Sequence, residues 1–479
     1  MLNILNFINY FLCIFAVGFY LITVLQWFSY KFERIIFHFT KPLWHIYFLF
    51  FPVIIYFASF FIKNGDKFLF VFLVIFYILL ILWHKKLDKK LVFTARVKRF
   101  FAFLAFFSVL IAVSFNLLKA DNLPLFSPFI LTFLFSCAYE KKEANKFYKM
   151  AQKKLANMPD LLIIQITASF GKTSIKNFLF ELLKDDFKVQ KTPRSVNTLN
   201  GIIRDINENL SYDTKIYIAE AGARKNGDIK EITKFLNPQI VLVGEIGAQH
   251  IEYFKSIENI RATKLESLSS NRLKHAFLHS TTLLKENETN TIYDKQIANF
   301  TANLDGIKLE MKSGEKIFAE ILGDFNAQNL AACILIAKFL GINAEKIAKN
   351  AKNLHSVEHR LQKIMTNEKF IIDDSFNGNL KGMCASYDLV KNYKGRKVII
   401  TPGIVEGTKE MNEILGIKIN EIFDLVMITG DLNAEILGAK IDPKKLIFIK
   451  DKSKMIEILG AETKADDLIL FSNDAPSFI

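Results

Sequence analysis

"TASFGKTS", residues 167–174, follows the apolar run "LLIIQI" and precedes "IKNFLFELLK". A strand, a short polar loop and an amphipathic helix make a phosphate grip, because N–H groups of the loop and of the helix N-terminus point at phosphate oxygens. In such a loop Lys172 reaches the terminal phosphates and the Thr173 hydroxyl holds Mg²⁺. Ser169, Gly171 and Ser174 are the other candidate nucleotide contacts. Ala168 stands where a glycine is usual, three residues ahead of Gly171, and suits the loop only if its φ stays below zero.

The loop lies about 160 residues into a chain that begins as a membrane protein. The chain has 479 residues, a formal net charge of +14 and 47 Phe, and 51% of it is hydrophobic. That length suggests about three domains at roughly 150 residues each. Most of the apolar excess precedes residue 140, in runs at about 10–30, 44–62, 68–83, 100–118 and 123–139. A helix crossing the ~30 Å hydrocarbon layer needs about 20 residues. The first, second and fourth runs fit, while the third and fifth are short and the fifth contains Pro124 and Pro128. No basic n-region or small-residue cleavage site accompanies the first run, which argues against a cleaved signal peptide.

Orientation follows from the basic loops. "HKKLDKKLVFTARVKR" carries seven Lys or Arg; Lys31, Arg34 and Lys41 follow the first run, and Lys141, Lys142, Lys146 and Lys149 follow the fifth. "KNGDK" and "KADN" are nearly neutral. Five crossings with the N-terminus outside place every basic loop, and all that follows residue 140, in the cytoplasm. The expected location is the inner membrane, multi-pass. Charges that flank spans fit an anionic lipid surface and anionic nucleotide substrates, with no need for nucleic acid. Cys13, Cys137, Cys333 and Cys384 show no metal spacing and read as reduced apolar residues.

From about residue 145, strand-like runs ("LLIIQI", "KIYIAEAG", "QIVLVGEI", "FIIDDS", "KVIITPG", "DLVMITG", "KLIFIK") alternate with helical patterns. That alternation predicts parallel α/β sheets with ligands at the carboxyl ends of the strands. A boundary near residue 355 divides them, giving a helical membrane region at 1–140, a central ATP-binding domain at 145–355 and a C-terminal Rossmann-like domain at 356–479.

Further candidates lie at strand ends. Glu220 closes "YIAE", well placed for Mg²⁺ beside a phosphate loop, or merely an exposed acid. His250, Lys264 and Glu266 follow "VLVGEIGAQ". Ser195, Asn197 and Thr198 sit in the polar loop "PRSVNTLNG". Asn326 and Asn329 in "GDFNAQN" either cap the next helix or meet a base. Arg360 precedes Asp373 and Asp374, which end a strand ahead of Ser375, Asn377 and Asn379. That acid pair either makes a turn and cap or grips a ribose or metal.

Taken in order, these stretches resemble the Mur ligases, ATP-dependent amide ligases of peptidoglycan precursor synthesis. "IIDDSFNGN" is similar to the DDSYNANP of the branch that adds D-alanyl-D-alanine to UDP-N-acetylmuramoyl-tripeptide, with Phe376, Gly378 and Leu380 in place of Tyr, Ala and Pro. "TASFGKTS", "SVNTLNG", "EAGARKNGDI", "IGAQHIEYFKSIENIRATKLE" and "GDFNAQNLAA" follow the family order over about two-thirds of the chain. The resemblance implies Lys172 and Thr173 on ATP phosphates and Mg²⁺, Glu220 and His250 at the metal, and Lys264 as a carbamylated lysine. It implies Asn326, Arg360 and Asp374 on the nucleotide, Ser195, Asn197 and Thr198 on the UDP-sugar, and Asn377 and Asn379 on substrate. It also implies a carboxylate attacking the γ-phosphate to give an acyl phosphate that an amine then displaces. Five membrane runs replace the family's soluble N-terminal uridine-binding domain, with lipid and wall-synthesis proteins as expected neighbours. The alternatives are another acceptor or substrate, folates included, and a non-catalytic membrane scaffold.

Overall fold

The computed structural model describes residues 4–28, 30, 35, 43–87, 89–118, 122–248, 251–365, 369–376, 378–405 and 407–473. The chain forms two compact units, Met1–Tyr148 and Lys149–Ile479.

Among the described residues of the first unit, four helices are long and apolar enough to cross a membrane: α1 (Ile4–Trp27), α2 (Leu43–Phe61), α3 (Gly65–Lys85) and α4 (Ala95–Leu117). α1 is the core helix, burying Tyr10, Cys13, Ile14, Val17 and Tyr20, whereas α2 to α4 leave Ile54, Val71, Ile75, Ile78 and Val113 exposed. The fifth apolar run differs from expectation. It opens α5 (Phe126–Ala156), a 31-residue helix whose apolar part yields at Glu140 to "EKKEANKFYKMAQKK". Only about 14 residues of α5 are apolar, roughly 21 Å of helix, so it is not among the four.

The second unit is built on parallel sheets. β1 (Leu162–Thr167) is buried along nearly its whole length, as a central parallel strand covered on both faces must be. It lies between β3 (Ile216–Glu220) and β4 (Ile240–Val243) in a six-stranded sheet, completed by β2 (Val189–Lys191), β5 (His275–Leu278) and β6 (Asn290–Ile292) in the order β2-β3-β1-β4-β5-β6. The chain switches direction across the sheet at β1, which is where open α/β sheets leave a crevice for ligands. α6 (Lys172–Leu183) leaves the end of β1 and buries Ile175, Phe178, Leu179, Leu182 and Leu183, the i, i+3, i+4, i+7, i+8 stripe of a helix packed on a core. α11 (Phe325–Phe339) packs against it. A small antiparallel sheet, β7 (Ile297–Asn303), β8 (Gly306–Met311) and β9 (Lys316–Ala319), was not foreseen.

A second six-stranded sheet has the order β10-β11-β15-β12-β13-β14: β10 (Gln362–Met365), β11 (Phe370–Asp374), β12 (Lys397–Thr401), β13 (Leu425–Thr429), β14 (Leu446–Ile449) and β15 (Leu468–Ser472). Only β10 is antiparallel in it. α13 (Leu380–Lys391) and α14 (Lys409–Ile422) supply Met383, Tyr387, Leu415 and Ile419 to its core.

Candidate active site

Residues 168–171 link β1 to α6. Gly171 is the N-cap of α6 with φ 76°, a left-handed conformation glycine takes without strain. A Cβ there would also come within 2.9 Å of the Asn329 side chain. Among the described residues with positive φ, Ala168 does not appear, so the one substitution in the loop keeps the backbone it needs. Ser169 ties the loop to the segment after β4: its N–H donates to the Glu245 carbonyl, and its hydroxyl meets both N and O of Gly247 at 3.0 Å. Lys172 folds back onto the loop, its ammonium donating to the carbonyls of Ala168 (2.7 Å) and Ser169 (3.1 Å). Burial lowers its pKa to about 8, against the pull of Glu220 and aided by Arg360. Ser174 is buried in the first turn of α6.

Glu220, at the carboxyl end of β3, is fully buried. Its Oε2 accepts from the Thr173 hydroxyl (3.0 Å) and from the Lys176 ammonium (3.2 Å). Its Oε1 accepts from Asn197 (3.3 Å), and its N–H donates to the Thr192 hydroxyl (3.2 Å). It is therefore no exposed strand-end acid. Thr173 and Glu220 juxtapose a hydroxyl and a carboxylate, the hard oxygen donors that suit Mg²⁺, and the loop offers the N–H groups and ammonium that suit a nucleotide's phosphates. His250 lies outside the described residues, and among those described no three His, Cys, Asp or Glu side chains cluster as a metal site.

Lys264 ends α10 (Ile257–Leu265) and is 3% exposed. Burial, reinforced by Lys172 and opposed by Asp228, Glu220 and Glu266, takes its pKa down to about 7. Nearby Glu266 caps α8 (Asp228–Leu236), accepting from the N–H groups of Gly227 (2.8 Å) and Lys230 (3.0 Å).

Asn326 and Asn329 are not caps. Asp324 caps α11 through the Phe325 N–H, while Asn329 donates to Asn326 Oδ1 (2.8 Å) and Asn326 to the Leu322 carbonyl (2.7 Å). This buried amide pair fills the space that a side chain at position 171 would need. On the polar loop, Asn197 turns inward to Glu220, Thr198 caps α7 (Leu199–Glu208) through the Gly201 N–H, and Ser195 is exposed.

In the C-terminal half, Asp373 accepts from His359 Nδ1 (2.7 Å) and the Ser375 N–H (3.0 Å). Asp374 accepts from the Leu361 N–H (3.3 Å), and burial pushes its pKa up to about 7 against that bond and the charge of Arg360. Arg360 itself stacks on the Phe376 ring at 4.4 Å, and His359 and Leu361 on either side of it are left-handed at φ 62° and 48°. Asn379 caps α13 through the Gly382 N–H, and Asn377 lies outside the described residues. An ion pair joins Lys381 to Glu245, next to the phosphate loop.

Sequence reasoning missed Lys176. A lysine on a helix reads as solvated, yet this one is 1% exposed. The signal was its place one turn beyond Lys172 and Thr173, on the same face of α6.

The nucleotide-type loop and the parallel sheets fall in a stretch, residues 166–337, that matches the Mur ligase middle domain. The chain is 26% identical over 333 residues to the UDP-N-acetylmuramoyl-tripeptide–D-alanyl-D-alanine ligase of Bacillus subtilis, covering 64% of this chain and 72% of that protein. The enzyme of the same name from Buchnera aphidicola is 28% identical over 300 residues, 57% of this chain and 64% of that one. Among solved structures, the MurF ligase of Thermotoga maritima in complex with ADP shares the fold at TM-score 0.59 and 22% identity, over 69% of this chain and 80% of that one.

Proposed function

We infer that the chain is an ATP-dependent ligase that adds D-alanyl-D-alanine to UDP-N-acetylmuramoyl-tripeptide. The observation that carries this reading is the cluster of Lys172, Thr173 and Glu220 at the strand-order switch point, in a chain whose curated relatives bear that name. ATP with Mg²⁺ would supply the phosphoryl group that activates the substrate carboxylate. Ser169, Gly171 and Ser174 would shape the phosphate loop, Lys172 would leave its carbonyl partners to offset charge as two anions approach, and Thr173 and Glu220 would hold the metal with His250 and a carbamylated Lys264. Asn326, Arg360 and Asp374 would meet the nucleotide. Ser195, Asn197, Thr198, Asn377 and Asn379 would meet the muramyl peptide, and the C-terminal domain would close over the site to exclude water.

The scaffold alternative rested on Ala168 alone, and the negative φ at that position removes its support. The test is ADP release by purified protein given ATP, UDP-N-acetylmuramoyl-tripeptide and D-alanyl-D-alanine. Release only with a different amine would favour the other-acceptor reading, and no release with any amine would defeat both.

We further propose that α1 to α4 anchor the enzyme in the inner membrane with its catalytic part in the cytoplasm. Keeping every basic loop inside then requires the short apolar part of α5 to cross as well, by local thinning of the bilayer. A cysteine-accessibility label in "HKKLDKKL" should react only from the cytoplasmic side.

A further inference from the structure

Lys176 is buried at 1% exposure together with Glu220. Burying two charges is costly unless good geometry and further hydrogen bonds compensate. Here the ammonium has a second acceptor: it donates to the main-chain carbonyl of Arg194 as well as to Glu220. Arg194 is exposed and left-handed, φ 43°, a conformation a non-glycine residue keeps only where its surroundings hold it. The far end of the loop is held separately, where the Gly222 N–H donates to the Asn197 carbonyl (2.7 Å), so the stretch next to Arg194 depends on fewer bonds. Val196 closes a turn onto the Pro193 carbonyl (3.0 Å), while Lys191 reaches Asn177 on α6 and Asn197 reaches Glu220.

We propose that Lys176 is a positioning residue that clamps the polar loop at residues 193–198 to Glu220 and α6, so that the side chains offered to the muramyl substrate are set by the helix that also forms the phosphate loop. The loop's strained residue is fixed by a bond from α6, and the charge that makes this bond strong is balanced by Glu220. The substrate named here rests on the proposed ligase activity; the clamp itself does not.

Lys176→Met in the full chain, in detergent, separates the two. With neither nucleotide nor metal added, trypsin should cut the Arg194–Ser195 bond about 10-fold faster than in the wild type, because cleavage follows the population of the open loop. Cleavage after other exposed lysines and arginines should not change. KM for the muramyl peptide should rise about 10-fold while KM for ATP stays within about twofold, and Lys176→Arg should restore much of the protection. Should Lys176→Met lack a cooperative melt, Lys176→Met with Glu220→Gln removes both buried charges and carries the same proteolysis readout. Unchanged cleavage at Arg194 beside a folded protein overturns the clamp, as does acceleration at every site alike. Faster cleavage at Arg194 in the variant, where the wild-type chain itself shows no ligase activity, upholds the clamp and defeats only the substrate reading.

Discussion

The Ala168 side chain occupies the space that a Cβ on Gly244 would need: such a Cβ would sit 2.7 Å from the Ala168 Cβ. The methyl that departs from the usual phosphate loop is thus accommodated by a glycine just past β4. Gly244→Ala should cost about 1–3 kcal/mol through overpacking. Ala168→Gly should cost roughly 1 kcal/mol, through a lost buried methyl and a freer unfolded chain, and should leave ligation intact. The double variant should be more stable than the sum of the two by at least about 1 kcal/mol. Thermal melts of the four proteins read this directly, and strict additivity would show that the two positions do not share the space.

Lys172 should be the most sensitive residue of the loop. Its ammonium rests on the carbonyls of Ala168 and Ser169, partners it can exchange for phosphate oxygens with little rearrangement. Lys172→Ala should lower turnover at least about 10²-fold, the scale of losing one preorganised donor, without lowering the melting temperature comparably. A variant that turns over normally would remove Lys172 from the chemistry.

The sequence made the candidate nucleotide-binding residues more legible than their supports. "GKTS" and Glu220 stand at strand ends, where side-chain direction follows from the strand itself. The burial of Lys176 and the approach of Asn329 to residue 171 depend on how α6 and α11 pack, and spacing along one helix shows only which face Lys176 is on. The same holds for α5: its apolar start was visible, but its continuation as one 31-residue helix depends on good helix formers such as Glu, Lys and Ala beyond the apolar stretch. The two parallel sheets followed from alternating strands and helices, whereas the antiparallel β7–β9 sheet, with its largely exposed first strand, gave little periodic signal.

Asp374 should report on pH. With its folded pKa raised to about 7 against about 3.9 when unfolded, the folded chain holds a proton between those values that the unfolded chain has released. Stability from this group is therefore present at low pH and falls as pH rises through about 4 to 7. Asp374→Asn mimics the protonated form, so its melting temperature should match or exceed the wild type at pH 8 and lose that advantage at pH 4. If the carboxylate grips a ribose, KM for ATP should rise about 10-fold in the same variant. A variant less stable than the wild type at pH 8 would contradict the assigned cause of the shift.

Lys264 offers the sharpest test of the proposed metal site. As an ammonium within electrostatic reach of Lys172 and Glu220 it would add positive charge where Mg²⁺ is expected, whereas a carbamate reverses that sign and supplies an oxygen donor. Its formation joins the lysine nitrogen to the carbon of CO₂ and releases a proton, so the amine must first be neutral. Burial provides for this: with a folded pKa of about 7, much of the amine is neutral at physiological pH, whereas a solvated lysine near 10.4 would be almost wholly charged. Between about pH 7 and 10.4 the unfolded chain carries a proton that the folded chain lacks, so this group's contribution to stability increases with pH across that window. A carbamate signal in ¹³C NMR after addition of ¹³C-bicarbonate should be weak at pH 6, strong at pH 8 and absent in Lys264→Ala. That variant should be nearly inactive, and formate should recover part of its activity by placing a carboxylate in the gap. Wild-type ligation by Lys264→Ala would reduce Lys264 to a buried structural lysine, and activity lost without any carbamate signal in the wild type would assign it a direct role as an amine.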